Sequence, residues 1–274
     1  MSRKTIKTKN IYGQTIVVFM EEYVGEKIIQ DGIYEKLLLE FVEKLISKTK
    51  DPVIFDIGAN IGNHSLSFAR YAKQVCSFEP VPEIFAVLEK NMQQNNLTNV
   101  WCVNTALSSE EGEEEIFVFE DNMGATSFDK HDENVTAVTV RKQIGDKWVS
   151  ENNISQLDFI KIDTEGHEAY VLKGLKHTIQ RFQPCVVVEW NDPLTIKRFR
   201  DENIIENIFS GYKIYVLGNN FDKAYWKGKP LAKIMRRFVR LFVPKQARLY
   251  KFDQEKIYKN IIFIPEKKLH LLPR

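Results

Sequence analysis

Residues 52–62 read PVIFDIGANIG, and the fold class follows from this stretch. The apolar run at 53–55 indicates a buried parallel strand, and the glycines after it indicate a tight turn into a helix. Gly58 would let a ligand approach the backbone, and Gly62 would let the helix begin close to the strand. Such turns lie where α/β proteins bind nucleotide-like cofactors, so we predict a cofactor loop. On the glycines alone, an ordinary strand–turn–helix connection is the alternative.

The chain around this turn alternates between strand-like and helix-like segments. We predict strands at 53–57, 75–79, 100–104, 158–163, 185–189, 213–217 and 260–264, and helices at 63–71, 82–95, 167–182 and 193–209. This alternation implies a parallel sheet with helices on both of its faces.

Residues 1–50 precede this core and are predicted to form a separate N-terminal preface. It would contain a strand within 12–20 and an amphipathic helix at 33–45. Tyr34 and Glu35 begin that helix, where their side chains could reach the cofactor edge. For Glu35 we favour a solvated first-turn glutamate that is stabilised by the helix dipole.

The remaining residues, 51–274, are predicted to form one α/β domain with two inserts. The first insert has strands at 115–120 and 135–141, and the polar loop 121–134 between them is a candidate lid. The second insert, 223–252, has ten lysines and arginines and no acid.

The basic insert admits three interpretations. Its apolar residues share one face of a predicted helix and its basic residues lie mostly on the other; the apolar ones are Leu231, Ile234, Met235, Phe238, Leu241 and Phe242. The helix could cover the sheet with a solvated basic side. It could instead attach residues 229–251 to an anionic membrane surface, or form a groove for an acidic acceptor.

The composition of 43% hydrophobic and 28% charged residues is typical of a soluble globular protein. The net charge of +2 gives no general reason to expect a nucleic-acid partner. Cys76, Cys102 and Cys185 lie in predicted strands without metal-like spacing, which favours reduced thiols in a cytosolic protein. The sequence contains neither a signal-peptide-like segment nor a run of 18 apolar residues, so we expect a cytoplasmic location. Peripheral contact with the inner face of a membrane is the alternative.

Acidic residues collect at the predicted carboxyl edge of the sheet. Glu79 ends the second strand, where an acid can accept both hydroxyls of a ribose. The motif KIDTEGHE at 161–168 brings further acids just past the fourth strand, and another acid ends the fifth. The candidate catalytic residues are Asp163, Glu165, His167 and Glu189.

The glycine spacing distinguishes between cofactors. A dinucleotide loop needs G-x-G-x-x-G, and G-A-N-I-G lacks the middle glycine. A phosphate loop needs a lysine and a hydroxyl after the last glycine, where Asn63 and His64 stand. A cofactor with a ribose and no phosphate fits better, as in S-adenosylmethionine, and Asp56 would lie near its ammonium group or hold the loop.

Five segments together resemble the FkbM family of methyltransferases. They are FDIGANIGNHSL at 55–66, SFEPVPEIFAVLEKN at 77–91, NTALSSEEG at 104–112, FIKIDTEGHEAYVLKG at 159–174 and PCVVVEW at 184–190. The resemblance implies the class I, S-adenosylmethionine-dependent fold, a Rossmann-like sheet of order 3-2-1-4-5-7-6 with strand seven antiparallel. Residues 260–264 would be that strand, and the basic stretch an insertion before it.

The resemblance also implies roles for residues of the site. Those expected near the cofactor are Asp56, Gly58, Ala59, Asn60, Gly62, Glu79, Asn104, Ala106 and Leu107. Family members typically methylate hydroxyl groups, often on sugars or polyketide-type products, so we expect a hydroxylated small-molecule or glycan acceptor.

Transfer to a hydroxyl requires alignment of the acceptor oxygen with the methyl group and removal of its proton. Asp163 or Glu189 is the preferred general base. His167 has the better unperturbed pKa, but its place in the first helical turn also suits a cap. The acids could bind a divalent ion, yet nothing in the sequence requires one, and no metal is predicted.

Three other functions fit the sequence less well. The missing middle glycine disfavours a nicotinamide-dependent oxidoreductase. A binding protein that lost the chemistry is disfavoured by the intact loop, Glu79 and Asp163. An N-directed enzyme of the (D/N)PPY type would carry that motif after the fourth strand, where this chain reads DTEGHE.

Overall fold

A computed structural model describes residues 3–20, 22–119, 135–219 and 246–273. The strands in these ranges are β1 (Thr5–Lys9), β2 (Thr15–Phe19), β3 (Val53–Ile57), β4 (Gln74–Phe78), β5 (Val100–Val103), β6 (Ala106–Ser108), β7 (Gly112–Phe119), β8 (Val135–Ile144), β9 (Phe159–Ile162), β10 (Cys185–Glu189), β11 (Tyr212–Asn219), β12 (Ala247–Lys251) and β13 (Asn260–Pro265). The helices are α1 (Tyr23–Asp31), α2 (Lys36–Ile46), α3 (Asn63–Phe68), α4 (Pro82–Gln94), α5 (Gly145–Glu151), α6 (Glu168–Gly174), α7 (Lys176–Phe182), α8 (Pro193–Asp201) and α9 (Ile204–Ile208), followed by a 3-10 helix at Glu266–Leu271.

The central sheet has the order β12-β11-β13-β10-β9-β3-β4-β5. Strands β5, β4, β3, β9 and β10 run parallel, and β13 runs antiparallel to both of its neighbours. In order of the core strands this is 3-2-1-4-5-7-6 with the seventh strand antiparallel, so the predicted class I methyltransferase fold is confirmed. Strand β12, formed by the end of the basic insert, adds an eighth strand antiparallel to β11 that was not predicted.

The middle strands are apolar because both faces of the sheet are covered. In β9, Ile160 and Ile162 pack into one core cluster, while Phe159 packs into the other. Neighbouring residues Ile54 and Phe55 of β3 are divided between the same two clusters. This alternation follows from the two-residue period of a strand.

The preface shares its core with the main sheet. Helix α2 packs its apolar stripe there through Leu38, Leu39, Phe41, Val42, Leu45 and Ile46. The amide of Asn91, on α4, donates to the Val17 carbonyl at 2.9 Å and accepts from its N–H at 2.7 Å. Asn95 makes the same pair of bonds with Thr15. The two asparagine side chains thus hydrogen-bond to the backbone of β2 as a neighbouring strand would. On its other side β2 pairs with β1, a strand that was not predicted.

Two predicted helices are each divided in two. The segment predicted at 193–209 breaks between α8 and α9 at Asn203, whose φ of 47° is left-handed. The segment predicted at 167–182 breaks at Leu175, between α6 and α7. Helix α3 ends at Phe68, before the predicted end at residue 71. Local φ values that a helix cannot adopt explain the first break, and periodicity alone does not reveal them.

Both inserts are only partly described. Strands β7 and β8 pair antiparallel, and with β6 they form a three-stranded sheet, which confirms the two predicted insert strands. The candidate lid at 121–134 lies outside the described residues. So does the predicted amphipathic helix over 231–242, and its membrane interpretation stays a prediction.

The three cysteines lie on strands, as predicted, and all are free thiols. Cys76 is on β4, Cys102 on β5 and Cys185 on β10. Burial raises the pKa of each thiol to about 12. None of the helices in the described part of the chain combines the length and apolar character that crossing a membrane requires.

Candidate active site

A cleft opens at the carboxyl ends of the parallel strands. It encloses about 970 Å³, including the part open to solvent. Ten of the thirteen predicted site residues line it: Gly58, Ala59, Asn60, Glu79, Ala106, Leu107, Asp163, Glu165, His167 and Glu189. The structure therefore brings residues of both predicted sets together, and the remaining three do not line the cleft.

The glycines of the cofactor loop are required by its packing. Gly58 has φ of 75°, and a Cβ there would lie 1.7 Å from the Asp163 carbonyl oxygen. Gly62 has φ of 89°, and its Cβ would lie 2.6 Å from the Met92 side chain. The space that Gly58 leaves is thus used by the neighbouring strand end, whereas the sequence suggested close approach of a ligand.

Glu79 is buried at the end of β4 and faces the cleft. Its Oε2 accepts from the Asn60 N–H at 3.0 Å, and its Oε1 accepts from the Val81 N–H at 2.9 Å. Burial raises the pKa of Glu79 to about 7. The carboxyl group is therefore held rigidly between the loop and the strand end. Each oxygen keeps a further lone pair for a ligand.

Asp56, Gly62 and Asn104 do not line the cleft. Asp56 is fully buried beneath the loop and accepts from Ser65 Oγ at 2.6 Å. The Asn104 amide donates to the carbonyls of Glu79 and Pro80, at 2.9 Å each. Asp56 and Asn104 hold the strand ends in place.

Three carboxyl groups meet at the far end of the cleft. One oxygen each of Asp163, Glu165 and Glu189 lies within 4.8 Å of the others, a spacing that would also suit a divalent cation. Burial and the Asp163 carboxylate raise the pKa of Glu165 to about 8 and that of Glu189 to about 11. Both shifts favour the protonated form of these side chains.

His167 stands at the N-cap of α6, but its side chain does not cap the helix. Its Nε2 lies 3.0 Å from Ser108 Oγ, and the residue is 6% exposed. Burial lowers the pKa of His167 to about 3, so the imidazole is neutral near pH 7. The structure thus disfavours His167 as the group that takes up a proton.

A family model described as the methyltransferase FkbM domain matches residues 56–214, more than half of the chain. The chain belongs to the FkbM methyltransferase family. It is 31% identical to a hexuronic acid methyltransferase of Haloferax volcanii over 170 residues, which cover 61% of this chain and 66% of that protein. It is 26% identical to the 2-O-methyltransferase NoeI of Sinorhizobium fredii over 159 residues, covering 52% and 64%. Each alignment spans just under two thirds of the relative's own length.

Among solved structures, methyltransferase FkbM from Methylobacillus flagellatus KT is similar at a TM-score of 0.45 and 14% identity. The match covers 78% of this chain and 43% of that chain.

S-adenosylmethionine is the expected cofactor of this FkbM family member. The cleft suits such a molecule. The buried Glu79 carboxyl group offers acceptors for ribose hydroxyls, and Phe78, Leu107 and Ile116 add apolar lining. The loop residues Gly58 and Ala59, which line the cleft, carry no side chain or a single methyl group.

Glu35 corrects one sequence interpretation, because it is not solvated. Its side chain is 5% exposed, and Oε2 lies 3.0 Å from His64 Nε2. Its Oε1 accepts from Asn260 Nδ2 at 2.9 Å and from Lys259 Nζ at 3.0 Å. The left-handed backbone of Glu35, with φ of 53°, directs the side chain into the interior. The partners are 29 and more than 220 positions away, so no local pattern reveals them.

Tyr34 brings the preface to the cleft wall. Its N–H donates to Asn63 Oδ1 and its carbonyl accepts from Asn63 Nδ2, both at 3.1 Å. Tyr34 and His64 both line the cleft, and their rings meet edge-to-face at 6.2 Å. The preface is therefore fixed to the first turn of α3, directly after the cofactor loop.

Glu168 organises the turn that carries Glu165. Its buried carboxyl group accepts from the N–H groups of Thr164 at 2.9 Å and Gly166 at 3.1 Å. It also accepts from Thr195 Oγ1 at 2.8 Å. Sequence reasoning grouped Glu168 with the site acids, whereas the structure gives it a supporting place behind them.

Proposed function

We propose that this chain is an S-adenosylmethionine-dependent O-methyltransferase that acts on a hydroxyl group of a sugar or glycan. The observation that carries the proposal is the meeting of Asp163, Glu165 and Glu189 at one end of the cofactor cleft. Clustered carboxyl groups hydrogen-bond sugar hydroxyls and can remove a hydroxyl proton. The names of the hexuronic acid methyltransferase and the 2-O-methyltransferase among the relatives support a sugar acceptor.

The loop at 58–60 and the Glu79 side chain would hold the cofactor. Residues Gly58 to Asn60 would lie along its methionine part, and Glu79 would accept its ribose hydroxyls. Ala106 and Leu107 would border the adenine. The bound cofactor supplies a methyl group on a positively charged sulfur, which is a good leaving group.

We assign the role of general base to Asp163. Lys161 Nζ lies 3.1 Å from Asp163 Oδ2, so an ammonium group supports the negative charge of this carboxylate. Glu189 keeps its proton at neutral pH because burial and Asp163 raise its pKa to about 11. Asp163 would accept the proton of the acceptor hydroxyl, while Glu165 and Glu189 would orient the sugar through hydrogen bonds.

Calorimetry tests the cofactor half of the proposal. S-adenosylmethionine and S-adenosylhomocysteine should both bind, and NAD should not. Glu79→Ala should weaken both affinities by roughly tenfold or more, because hydrogen bonds to a charged acceptor contribute about 1.5–3 kcal/mol. Binding of NAD alone would favour an oxidoreductase, and binding of none of the three would contradict the proposal.

Transfer of a radiolabelled methyl group tests the acceptor half. Methyl glycosides of neutral hexoses, deoxyhexoses and hexuronic acids form the acceptor panel. An O-methyl ether withstands mild alkali, whereas a methyl ester formed at a hexuronic acid carboxyl group is hydrolysed. We expect alkali-stable label in at least one glycoside, and loss of that label with Asp163→Asn. Alkali-labile label only would contradict transfer to a hydroxyl.

A further inference from the structure

Lys161 occupies an unusual position in the middle of the central sheet. It lies on β9 between Ile160 and Ile162, and its side chain shares a sheet face with Phe159. The residue is 3% exposed. Burying an ammonium group at such a position is costly unless it is paired with negative charge. The chain therefore has a specific pairing at this point of the strand.

Two carboxyl groups flank the ammonium group along the sheet. Lys161 Nζ lies 3.1 Å from Asp163 Oδ2 and 3.8 Å from Asp56 Oδ1. Asp56 comes from the neighbouring strand β3, and its Oδ2 accepts from Ser65 Oγ. Asp56 Oδ1 has no hydrogen-bond partner within the described ranges, so the nearby ammonium group is its counter-charge. Lys161 thus connects a buried acid beneath the loop to the acid that lines the cleft.

Other charged groups face Lys161 from the surrounding elements. Glu35, at the N-cap of α2, is also paired with His64 and Lys259. Glu79 ends β4, and Glu165 lies in the turn after β9. Lys161 lowers the pKa of all three carboxyl groups against the opposing effect of burial. Among the described carboxyl groups that line the cleft, Asp163 is the one that forms an ion pair with Lys161, at 3.1 Å.

We propose that Lys161 is a positioning residue for methyl transfer: held by Asp56, its ammonium group fixes the Asp163 carboxylate at the acceptor end of the cleft. The inference rests on the proposed function, in which Asp163 receives the acceptor proton. An ammonium group has three donors and can contact both carboxylates at once. A fixed carboxylate keeps the base within hydrogen-bond reach of the acceptor hydroxyl.

The test compares wild type with Lys161→Met, Asp163→Asn and the double variant. We expect Lys161→Met to lower kcat about 100-fold, the scale of a misplaced catalytic group. Its KM for S-adenosylmethionine and its calorimetric affinity for S-adenosylhomocysteine should stay within about threefold of wild type, since the cofactor half of the cleft is intact. The double variant should be no slower than Asp163→Asn, because the two residues act as a unit.

Lys268 provides the matched control. Its side chain is 16% exposed, and its Nζ lies 4.0 Å from Asp158 Oδ1, just before the start of β9 at the opposite edge of the sheet. Lys268→Met removes a partly buried lysine–aspartate pair far from the cleft. We expect a lower Tm and an unchanged kcat. An equal loss of kcat in both lysine variants would reduce the role of Lys161 to general stability and overturn the proposal.

Thermal unfolding covers the case in which Lys161→Met folds poorly. Asp56→Asn/Lys161→Met and Asp163→Asn/Lys161→Met each remove a charge that the single variant leaves unpaired. We expect the Tm loss caused by Lys161→Met to be at least halved in the Asp163→Asn background. An undiminished loss would overturn the pairing. If wild type binds S-adenosylhomocysteine and transfers the methyl group, and Lys161→Met keeps the wild-type kcat, only this inference is contradicted. If wild type neither binds S-adenosylhomocysteine nor transfers a methyl group, the proposed function is contradicted as well.

Discussion

The backbone of Gly58 packs against the carbonyl of Asp163 so closely that a Cβ on Gly58 would lie 1.7 Å from that oxygen. This contact joins the cofactor loop to the strand end that carries the proposed base. A side chain at position 58 would therefore push the loop and this strand end apart.

Gly58→Ala should disrupt the cleft, and Gly13→Ala is its matched control. Both glycines have similar φ values, 75° and 79°, but a Cβ at Gly13 would meet nothing within 4 Å. The left-handed backbone alone costs alanine about 1–2 kcal/mol at either site. At Gly58 the strand end must also move. In urea unfolding we expect Gly58→Ala to lose at least about 2 kcal/mol more than Gly13→Ala, together with S-adenosylhomocysteine binding. Equal losses would contradict the steric argument.

Glu35→Ala should destabilise the protein strongly. Glu35 pairs with His64, Lys259 and Asn260, and removing one partner of a buried ion pair costs about 3 kcal/mol or more. Hydrogen bonds from His64 and the neighbouring cations hold the pKa of Glu35 well below its usual range, against the opposing effect of burial. Its contribution is therefore present above the unfolded-state pKa and is lost as pH falls.

Glu40→Ala is the control for Glu35, on the same helix. Glu40 makes an exposed pair with Lys36 at 3.8 Å, a kind of pair that contributes about 0.5 kcal/mol or less. Urea unfolding at pH 7 should separate the two variants clearly. A Glu35→Ala variant as stable as Glu40→Ala would show that the buried network contributes little.

Glu189→Gln should gain stability relative to wild type as pH rises. Burial and Asp163 raise the pKa of Glu189 to about 11, so the folded state holds a proton that the unfolded state releases above its ordinary pKa. Folding therefore becomes less favourable with rising pH in wild type, by about 1.4 kcal/mol per pH unit at most. Glutamine has no proton to release. Unfolding at pH 5 and pH 9 measures the difference, and the exposed Glu255→Gln should leave the wild-type pH dependence unchanged.

His167→Gln should keep kcat within about threefold of wild type, because a histidine with a pKa near 3 is not the proton acceptor at neutral pH. The pH dependence of stability should change instead. In wild type the unfolded state takes up a proton on His167 below about pH 6.5, so stability falls as pH drops towards 3. The variant should lose less stability between pH 7 and pH 4. A large loss of kcat would make His167 a candidate for the general base again.

Methyl transfer should not depend on a divalent cation. Lys161 already supplies a positive charge 3.1 Å from Asp163, and the raised pKa values of Glu165 and Glu189 favour their protonated forms, which bind cations poorly. The rate with the best acceptor glycoside should be the same before and after dialysis against EDTA. Loss of activity that Mg²⁺ restores would instead make the three carboxyl groups a metal site.

The sequence by itself predicted a parallel α/β sheet and most of the residues that line the cleft, and its resemblance to the FkbM family implied the order of the core strands. Apolar runs, loop glycines and strand-end acids are local signals, and parallel strands bring their carboxyl ends to one edge. Glu79, Asp163 and Glu189 could therefore be grouped before any coordinates existed. The helix breaks at Asn203 and Leu175 were not predicted; the one at Asn203 depends on a single left-handed φ value, which hydrophobic periodicity does not report.

Only the tertiary structure decided which groups surround these acids and support them. In the sequence, Lys161 is one more residue of a predicted strand. In the fold, its ammonium group lies between the carboxyl groups of Asp56 and Asp163. Glu35 looked solvated until its partners, His64 and Lys259, were brought to it from distant parts of the chain. Charge states depend on burial and on neighbours in space, and a sequence specifies those neighbours only through the completed fold.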